Sequence, residues 1–357
     1  MKLRLVIFAT FGAALALYLV MYVGWRAVFS AALGIGWGGF ALLCLCALAL
    51  FIVLGAAWYV LLPKTSTSPL WVFVRARMVR DSVAEVLPLS QLGGIALGVR
   101  AAVLQGVASP LASASMIVDV TTELLAQIAY AALGVAILRA RVAQSPLVAS
   151  LTTACLVGLV VATIAAALFL AVQRHGQRLT GKVSALLLRS AGQQFTAGVG
   201  AALDAIYHSP GRVACSVTYH FAAWNLSAVP IWLGFRLMGS HVDLIAVLAI
   251  ESLIYAIRSA AVLIPNALGV QEAAYALLGP LFGVPPELAL AVSVLKRARD
   301  VAVGVPVLLA WQAAEGRRAL SRAATNPDES DECQRDGAWP TGSAAYSKCP
   351  ERKPGAR

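Results

Sequence analysis

Apolar runs separated by short polar turns dominate the hydrophobic pattern of this 357-residue chain. A helix needs about 20 apolar residues to cross the hydrocarbon core of a bilayer, and several runs reach that length. They lie near residues 5–23, 37–62, 111–138, 147–172, 213–238, 242–264 and 288–311. The pattern predicts an all-α polytopic membrane protein with about seven to eight transmembrane helices.

The stretch 80–123 departs from this pattern because charges and helix breakers interrupt its apolar sequence. Its ionisable side chains are Asp81, Glu85, Arg100, Asp119 and Glu123, and its breaks are Pro88, Gly93-Gly94 and Pro110. Unpaired charges and unpaired backbone amides are costly inside a bilayer, so the stretch is predicted to face protein or a wet cavity. Its part 92–105 is too short for an ordinary span and predicts a re-entrant segment.

A second broken stretch follows Pro265, with another break at Gly269 and a carboxylate at Glu272. Pro88 and Pro265 are 177 residues apart, and so are the Gly-Val pairs at 106–107 and 283–284. At the same offset Asp81 falls on Arg258, Asp119 on Lys296, and Glu123 on Asp300. We therefore predict an internal repeat over about 80–138 and 257–313, either parallel or inverted. Paired short segments of this kind are typical of the central site of a transporter.

The composition and net charge of the chain are consistent with the prediction of a membrane protein. Charged residues make up 13% of the chain and hydrophobic residues 60%, and the formal net charge is +11. Much of the basic charge lies beside apolar runs, where Lys and Arg set topology and meet anionic headgroups, so no nucleic-acid partner is predicted. Lys2 and Arg4 precede the first run and predict a cytoplasmic N-terminus. The polar stretch 321–357 predicts a disordered tail, with 1–320 as one transmembrane domain.

Two further segments carry basic residues at informative places. Trp71 and Phe73 stand next to Arg75, Arg77 and Arg80, which predicts an interfacial segment on the cytoplasmic side. The insert 173–212 has apolar residues at helical spacing and one acid, Asp204, among several basic residues. It predicts a cytoplasmic amphipathic helix, lying either on the membrane surface or against the helix bundle.

The candidate site residues are the charged ones inside the broken stretches and the last apolar run. They are Asp81, Glu85, Arg100, Asp119, Glu123, Arg258, Glu272, Lys296, Arg299 and Asp300. Asp119 and Glu123 share one helix face and repel, so one must be protonated or paired with a cation, for which Lys296, Arg299 and Arg100 are the candidates. These charges either lock the two repeats together as buried ion pairs or line a path for a lipid headgroup or a proton.

Two single residues have competing interpretations. A helix starting near Val270 after a turn at Gly269 would make Glu272 either a capping acid or part of a headgroup site. His220 is predicted to be a packing residue. Trp224 and Asn225 lie beside it, so a polar contact between helices is the alternative.

Signatures of enzymes and cofactor sites are missing from the sequence. The apolar runs contain no HExxH, GxSxG or GxxxxGK[ST] motif, and the six cysteines form no CxxC pair. We therefore predict a protein that is not an enzyme and has neither a metal nor another cofactor. Two alternatives stay open: an integral-membrane enzyme that modifies a lipid, and an assembly factor that holds biosynthetic enzymes through the insert 173–212.

Several motifs resemble a known family. The segment PNALGVQEAAYALLGPLFGVPPELALAVSVLKRARD resembles the C-terminal signature of the lysylphosphatidylglycerol synthase transmembrane-region family. The segments LPLSQLGGIALGVRAAVLQGV and SMIVDVTTELLAQ resemble its N-terminal counterpart, and VRDSVAEVLPLSQLGG is similar to the hopanoid-biosynthesis-associated branch. The resemblance covers about residues 1–320. One departure is Gln271, where members of the family often have Arg.

The resemblance implies a multi-pass protein of the bacterial inner (plasma) membrane that moves or flips lipids. The expected partner is a membrane lipid, either a phospholipid or, for the hopanoid branch, a hopanoid or hopanoid-linked lipid, with lipid-biosynthesis enzymes as further partners. In the two-part synthases of this family a soluble acyltransferase-like domain makes the lipid. That domain is absent from this sequence, so synthase activity is not expected.

Overall fold

The computed structural model describes residue 21 and the ranges 25–86, 91–143, 145–187, 190–260 and 264–325, and all regular elements in these ranges are helical. The predicted all-α class is therefore confirmed. The α-helices are α1 (Trp25–Leu33), α2 (Gly36–Tyr59), α3 (Leu70–Val86), α4 (Gln91–Val103), α5 (Ser109–Arg141), α6 (Pro146–Leu187), α7 (Ser190–Tyr207), α8 (Pro210–Leu237), α9 (Leu244–Ala260), α10 (Val270–Leu281) and α11 (Pro286–Thr325). A 3₁₀ turn covers Pro265–Ala267.

Three helices of the described ranges are both long and apolar enough to cross a membrane. They are α2, α5 and the part Pro146–Gln173 of α6. The first predicted span lies outside the described residues. Helices α8 and α11 contain 28 and 40 residues, enough length to cross, but polar and charged side chains interrupt them. The structure thus supports a polytopic membrane protein, and the total of seven to eight spans stays a prediction.

Helices α3 and α4 form an antiparallel hairpin that packs through glycines. A Cβ atom on Gly94 would lie 2.5 Å from the carbonyl oxygen of Arg80, and one on Gly98 would lie 3.0 Å from the Arg80 Cβ. Glycines four residues apart let helix backbones approach this closely. The predicted break at Gly93-Gly94 is wrong, because both residues lie inside α4. Pro88 lies outside the described residues.

Helices α9 and α10 form a second antiparallel hairpin. Gln271 on α10 accepts a hydrogen bond from Arg258, and Tyr275, one turn further along α10, donates to Glu251 on α9. The connection contains the 3₁₀ turn that starts at Pro265, and Gly269, with a φ of 76°, precedes α10. The predicted helix start at Val270 is confirmed.

The two hairpins continue into long helices through matching turns. Gly106 and Gly283 have φ values of 97° and 77°, in the left-handed region that favours glycine. The N–H of Val107 bonds the carbonyl of Ala102 at 3.3 Å, and the N–H of Val284 bonds that of Gly279 at 3.0 Å. These donors, acceptors and glycines are all related by the offset of 177 residues, as are the starts of α5 and α11. The broken stretches therefore share one backbone design, and from here on the first repeat unit denotes α3 to α5 and the second α9 to α11.

Described residues at both ends of the insert 173–212 pack into the helix bundle. Its first part continues α6, and α7 buries Leu203 and Ile206 in a cluster with Ala114 and Val118 of α5. Gln173 is also buried, where its amide donates to Thr121 at 2.8 Å. Of the two predicted placements, the structure shows packing against the bundle.

By internal contacts, residues 1–308 form one unit and residues 309–357 a second. In the first unit, α5, α8, α9 and α10 share a large apolar core that includes Leu138, Phe235, Ile250, Leu253 and Tyr275. The described part of the second unit, 309–325, is helical. Helix thus extends five residues into the predicted tail, whose remainder lies outside the described residues.

Candidate functional site

A cavity of about 500 Å³ lies within residues 1–308. It is surrounded by α2, α3, α5, α8, α9 and the N-terminal part of α11. Apolar side chains of α2, including Leu50, Phe51 and Leu54, form one wall, and Trp224 and Tyr255 contribute aromatic surface. The charged residues that line it are Arg77, Arg80, Asp81, Glu85, Glu123, Arg258, Lys296, Arg299 and Asp300. Both repeat units therefore contribute to a single cavity.

The first repeat unit and His220 of α8 form an ion network that we call the arginine cluster, defined as Arg77, Arg80, Asp81, Asp119, Glu123 and His220. Arg77 reaches three carboxylates: its Nε lies 2.8 Å from Asp81, its Nη1 lies 2.8 Å from Asp119, and its Nη2 lies 2.6 Å from Glu123. Arg80 binds Asp119 at 3.2 Å and Glu123 at 2.7 Å. Two planar guanidinium groups thus bridge two facing carboxylates, which suits their forked donor geometry.

Helical spacing explains why these side chains meet. Arg77, Arg80 and Asp81 lie within one turn of α3, and Asp119 and Glu123 lie one turn apart on α5. The predicted shared face of Asp119 and Glu123 is confirmed, but their predicted partners Lys296, Arg299 and Arg100 are wrong. The carboxylates pair with α3 because α3 packs its arginine face inward.

The interfacial position predicted for Arg77 and Arg80 is also wrong. Their exposed fractions are 2% and 8%, so both lie inside the protein, whereas Arg75 on the other face of α3 is exposed. Charges on the inward face need counter-charges, and Asp119 and Glu123 of α5 supply them.

His220 joins the arginine cluster from α8. Its Nε2 lies 2.9 Å from the Oδ1 of Asp119, and both side chains are fully buried. One turn away on both helices, the hydroxyls of Thr122 and Ser216 lie 2.9 Å apart. His220 is thus more than the packing residue that we predicted, since it forms a polar contact between α5 and α8.

The second repeat unit pairs its charges one to one. Lys296 on α11 donates to Glu251 on α9 at 2.7 Å, and Tyr275 donates to the other oxygen of the same carboxylate. The ammonium group of Lys296 also lies 4.6 Å from the ring centre of Tyr255. Arg299 binds its neighbour Asp300 at 2.7 Å.

Glu272 belongs to the start of α10 and faces α11. It accepts hydrogen bonds from the N–H of Gly269 at 2.9 Å and from the Nε of Arg297 at 2.5 Å. Arg297 also donates to the carbonyls of Asn266 and Ala267, whose φ values of 49° and 45° are unusual for residues other than glycine. The geometry therefore makes Glu272 a capping acid that helps to hold the turn before α10.

One ion pair joins the two repeat units directly. Arg258 of α9 binds Glu85 of α3 at 3.1 Å, and it also donates to Asn266 and Gln271. The amide of Asn266 donates in turn to the backbone carbonyl of Glu85 at 2.6 Å. The side chains of this bridge face the cavity, except for that of Gln271, which lies behind it.

The structure brings most of the predicted residues together. Those that line the cavity are Asp81, Glu85, Glu123, Arg258, Lys296, Arg299 and Asp300. Asp119 and Glu272 are buried in the adjoining networks, and Arg100 is exposed on α4. Sequence reasoning missed Arg77, Arg80, Glu251 and Arg297. A usable signal was the spacing of Arg77 and Arg80, which places two cations on one helix face beside a predicted carboxylate site.

Comparison with known proteins agrees with this organisation. The family model described as lysylphosphatidylglycerol synthase TM region matches residues 3–307, a range that holds both hairpins and every residue of the cavity. Searches of curated proteins and of solved structures gave no match. The chain therefore belongs to the lysylphosphatidylglycerol synthase transmembrane-region family and is a helical membrane protein.

Proposed function

We propose that this protein is a lipid transporter of the flippase type and that the cavity receives the polar headgroup of its substrate. The observation that carries the proposal is the cavity of about 500 Å³, lined by nine charged side chains from both repeat units of an otherwise apolar helical protein. Its volume falls within the roughly 300–1,000 Å³ typical of sites for small ligands. A headgroup that crosses a bilayer needs such a polar enclosure, because transferring it bare into hydrocarbon is costly.

The repeat architecture suggests how the cavity changes access. Transporters with paired broken segments move one repeat unit against the other around a site between them. Here the pair between Glu85 and Arg258 spans the two units, and both side chains are partly exposed to the cavity. A headgroup that competes for this pair would weaken the link between the units. Headgroup binding and relative movement would then be coupled.

The lining favours an amphiphile over a soluble ion. Leu50, Phe51 and Leu54 on α2 line the same cavity and offer apolar surface for the hydrocarbon part of a lipid. The similarity of VRDSVAEVLPLSQLGG to the hopanoid-associated branch supports a hopanoid or hopanoid-linked lipid as substrate. It also supports the bacterial inner membrane as location and lipid-biosynthesis enzymes as partners.

The same geometry argues against the alternative of a lipid-modifying enzyme. Glu85, Glu123 and Asp81 each accept at least one hydrogen bond from a guanidinium, an arrangement that stabilises the ionised carboxylate. A general acid needs a proton to donate, and the guanidinium contacts of Glu85 and Glu123 favour the ionised over the protonated carboxylate. We therefore propose that the protein is not an enzyme.

Two measurements test the proposal. In proteoliposomes with a fluorescent phospholipid in both leaflets, an impermeant quencher reports the movement of lipid across the bilayer. Protein in the vesicles should accelerate this movement, and Arg258→Gln should slow it roughly 10- to 150-fold, since a charged hydrogen bond contributes roughly 1.5–3 kcal/mol. In cells, lipid analysis of separated inner and outer membranes with and without the gene should show a displaced hopanoid fraction.

The matched control for Arg258→Gln is Arg236→Gln, which changes an exposed arginine of α8. Equal rates for wild type, Arg258→Gln and Arg236→Gln would contradict the cavity assignment. Equal rates for loaded and empty vesicles would contradict transport of that lipid. Chemical conversion of the lipid by purified protein in detergent would favour the enzyme.

A further inference from the structure

The arginine cluster contains more acids than permanent cations. Its carboxylates are Asp81, Asp119 and Glu123, and its guanidinium groups are Arg77 and Arg80. With His220 neutral, the cluster carries one net negative charge, and one bound proton would make it neutral. A surplus charge among largely buried side chains is costly, so this imbalance favours uptake of a proton.

The ion pairs of the second repeat unit show no such imbalance. Within the second repeat unit, Lys296 forms an ion pair with Glu251, Arg297 with Glu272, and Arg299 with Asp300. Arg258 forms an ion pair with Glu85 of the first repeat unit. Each of these pairs is neutral without a proton. The surplus therefore belongs to the arginine cluster.

His220 provides a place for the proton. Its Nε2 faces the Asp119 carboxylate at 2.9 Å, so a proton lies between these two atoms. Its Nδ1 is buried and has no hydrogen-bond partner among the residues that the structure describes. With the first proton on Nε2, the Nδ1 lone pair is unused, and imidazole is the side chain that most readily changes protonation near neutral pH.

The charged groups that face His220 come from two helices. On α5, Asp119 contacts it and Glu123 is close enough to interact electrostatically. From α3, Arg77 and Arg80 reach the same Asp119 carboxylate.

The other helices packed against α8 direct their charges elsewhere. Helix α2 has no charged residue between Gly36 and Tyr59. On α9, Glu251 is engaged by Lys296 and Tyr275, and Arg258 by Glu85. On α11, Arg297 is engaged by Glu272 and Arg299 by Asp300. On α7, Asp204 is exposed, and Tyr207 donates to Gln173 of α6.

We propose that the arginine cluster is a proton-binding site, in which His220 takes up one exchangeable proton next to Asp119. A hydronium ion of the solvent gives its proton to the unused lone pair of the ring and becomes water, and the net charge of the cluster changes from minus one to zero. Arg77, Arg80, Asp81 and Glu123 all line the cavity, so the change alters the electrostatic potential where the headgroup binds. Resting on the proposed transport function, this site couples proton binding to lipid movement.

The proton itself is tested without any transport measurement. Histidine labelled with ¹⁵N in its ring, incorporated into the full chain in phospholipid vesicles, reports ring protonation by NMR between roughly pH 5 and pH 9. The chain has four histidines, and the spectrum of His220→Gln identifies the signal of His220. We expect that signal to change from a neutral to a doubly protonated ring within this range. A ring that stays in either form throughout would overturn the proposal.

Matched substitutions test the charge count. Glu123→Gln removes one acid from the cluster and balances it without a proton, so the transition of His220 should move to lower pH or leave the range. Glu85→Gln removes an acid of the same type from a one-to-one pair and should leave the transition in place. If Glu123→Gln does not fold, Asp81→Asn removes an equivalent charge. If His220 changes protonation at the same pH in all folded variants, the arginine cluster does not contain a surplus acid that controls His220.

Coupling to transport is measured separately. In vesicles containing the fluorescent phospholipid, a pH gradient should change the rate of lipid movement for wild type and for the exposed-site control His208→Gln, but not for His220→Gln. A response of His220→Gln equal to that of wild type would overturn the coupling. If neither wild type nor the variants move lipid but the NMR signal of His220 still changes with pH, the proposed transport function is wrong. The proposed proton-binding site is then still supported.

Discussion

The two repeat units share a backbone design but differ in the sign of several charges on it, although Glu123 and its equivalent Asp300 are both acids. In the first unit, the cations Arg77 and Arg80 lie on the first helix of the hairpin, and acids follow on the long helix α5. In the second unit, the acid Glu251 lies on the first helix of the hairpin, and the cation Lys296 lies on the long helix α11. Lys296 occupies the position equivalent to Asp119, so the sign of the buried charge is reversed.

The hairpins differ in how closely their helices approach. Gly94 and Gly98 of α4 are equivalent to Gln271 and Tyr275 of α10 at the offset of 177 residues. The glycines bring the backbones of α3 and α4 together, whereas Gln271 and Tyr275 bind side chains of α9. The arginines of α3 are therefore directed to α5, while the charges of α9 are partly held within their own hairpin.

This difference shows that the same backbone arrangement can hold its charged side chains either as a shared ion network or as separate ion pairs. The arginine cluster is a shared network with a surplus acid, in which each guanidinium serves at least two carboxylates. The second unit uses separate, balanced pairs. A network responds as a whole to gain or loss of one charge, whereas isolated pairs respond individually.

The largest expected effect is the loss of Arg77. Arg77→Ala should lower the free energy of unfolding by about 3–5 kcal/mol, because it leaves buried carboxylates without their shared cation. Unfolding of the purified protein in mixed micelles, followed by circular dichroism, measures this. Arg75→Ala changes an exposed arginine two residues away and should have little effect. Equal stability of the two variants would contradict the central role of Arg77.

A smaller effect, and a sharper contrast, is expected at the pair between Glu251 and Lys296. Lys296→Met should destabilise by about 3 kcal/mol, whereas combining it with Glu251→Gln should recover most of the loss, because no unpaired charge remains. Combining Arg77→Ala with Asp119→Asn should recover less, since Arg80 is then the one guanidinium left in the cluster for both Asp81 and Glu123. Similar recovery in both double variants would remove the distinction between network and pair.

The smallest expected effect concerns the glycine contact of the first hairpin. Gly94→Ala places a methyl group against the carbonyl of Arg80 and should cost about 1–3 kcal/mol through overpacking. Gly158→Ala, in α6, meets nothing within 4 Å and should be neutral or slightly stabilising. The same unfolding measurement compares them. A neutral Gly94→Ala would show that close approach of the backbones is not needed.

Local features of the fold were predictable from sequence because they depend on nearby residues. Long apolar runs predict membrane helices, and α2, α5 and the first part of α6 fulfil both length and composition. The Gly-Val pairs at the offset of 177 predicted equivalent segments, since a glycine with positive φ ends a helix in the same way wherever it occurs. The start of α10 after Gly269 was predictable for the same reason.

The choice of ion partners was not predictable in this way. Arg77 lies 42 and 46 residues from Asp119 and Glu123, and Lys296 lies 45 residues from Glu251. A pattern of aromatic and basic residues, as at Trp71 and Arg77, is the same for an interfacial helix and for a buried hairpin helix. Only the neighbouring helices distinguish them.

The sequence by itself determined that this is a helical membrane protein with two equivalent broken segments and charges inside apolar surroundings. Those properties follow from composition, helical periodicity and the backbone freedom of glycine, which act over a few residues. Only the tertiary structure decided that the charges of the first repeat unit form one network with a surplus acid. It also decided that the charges of the second repeat unit form separate pairs. Ion pairing depends on which helix faces meet, and packing among distant segments sets those faces.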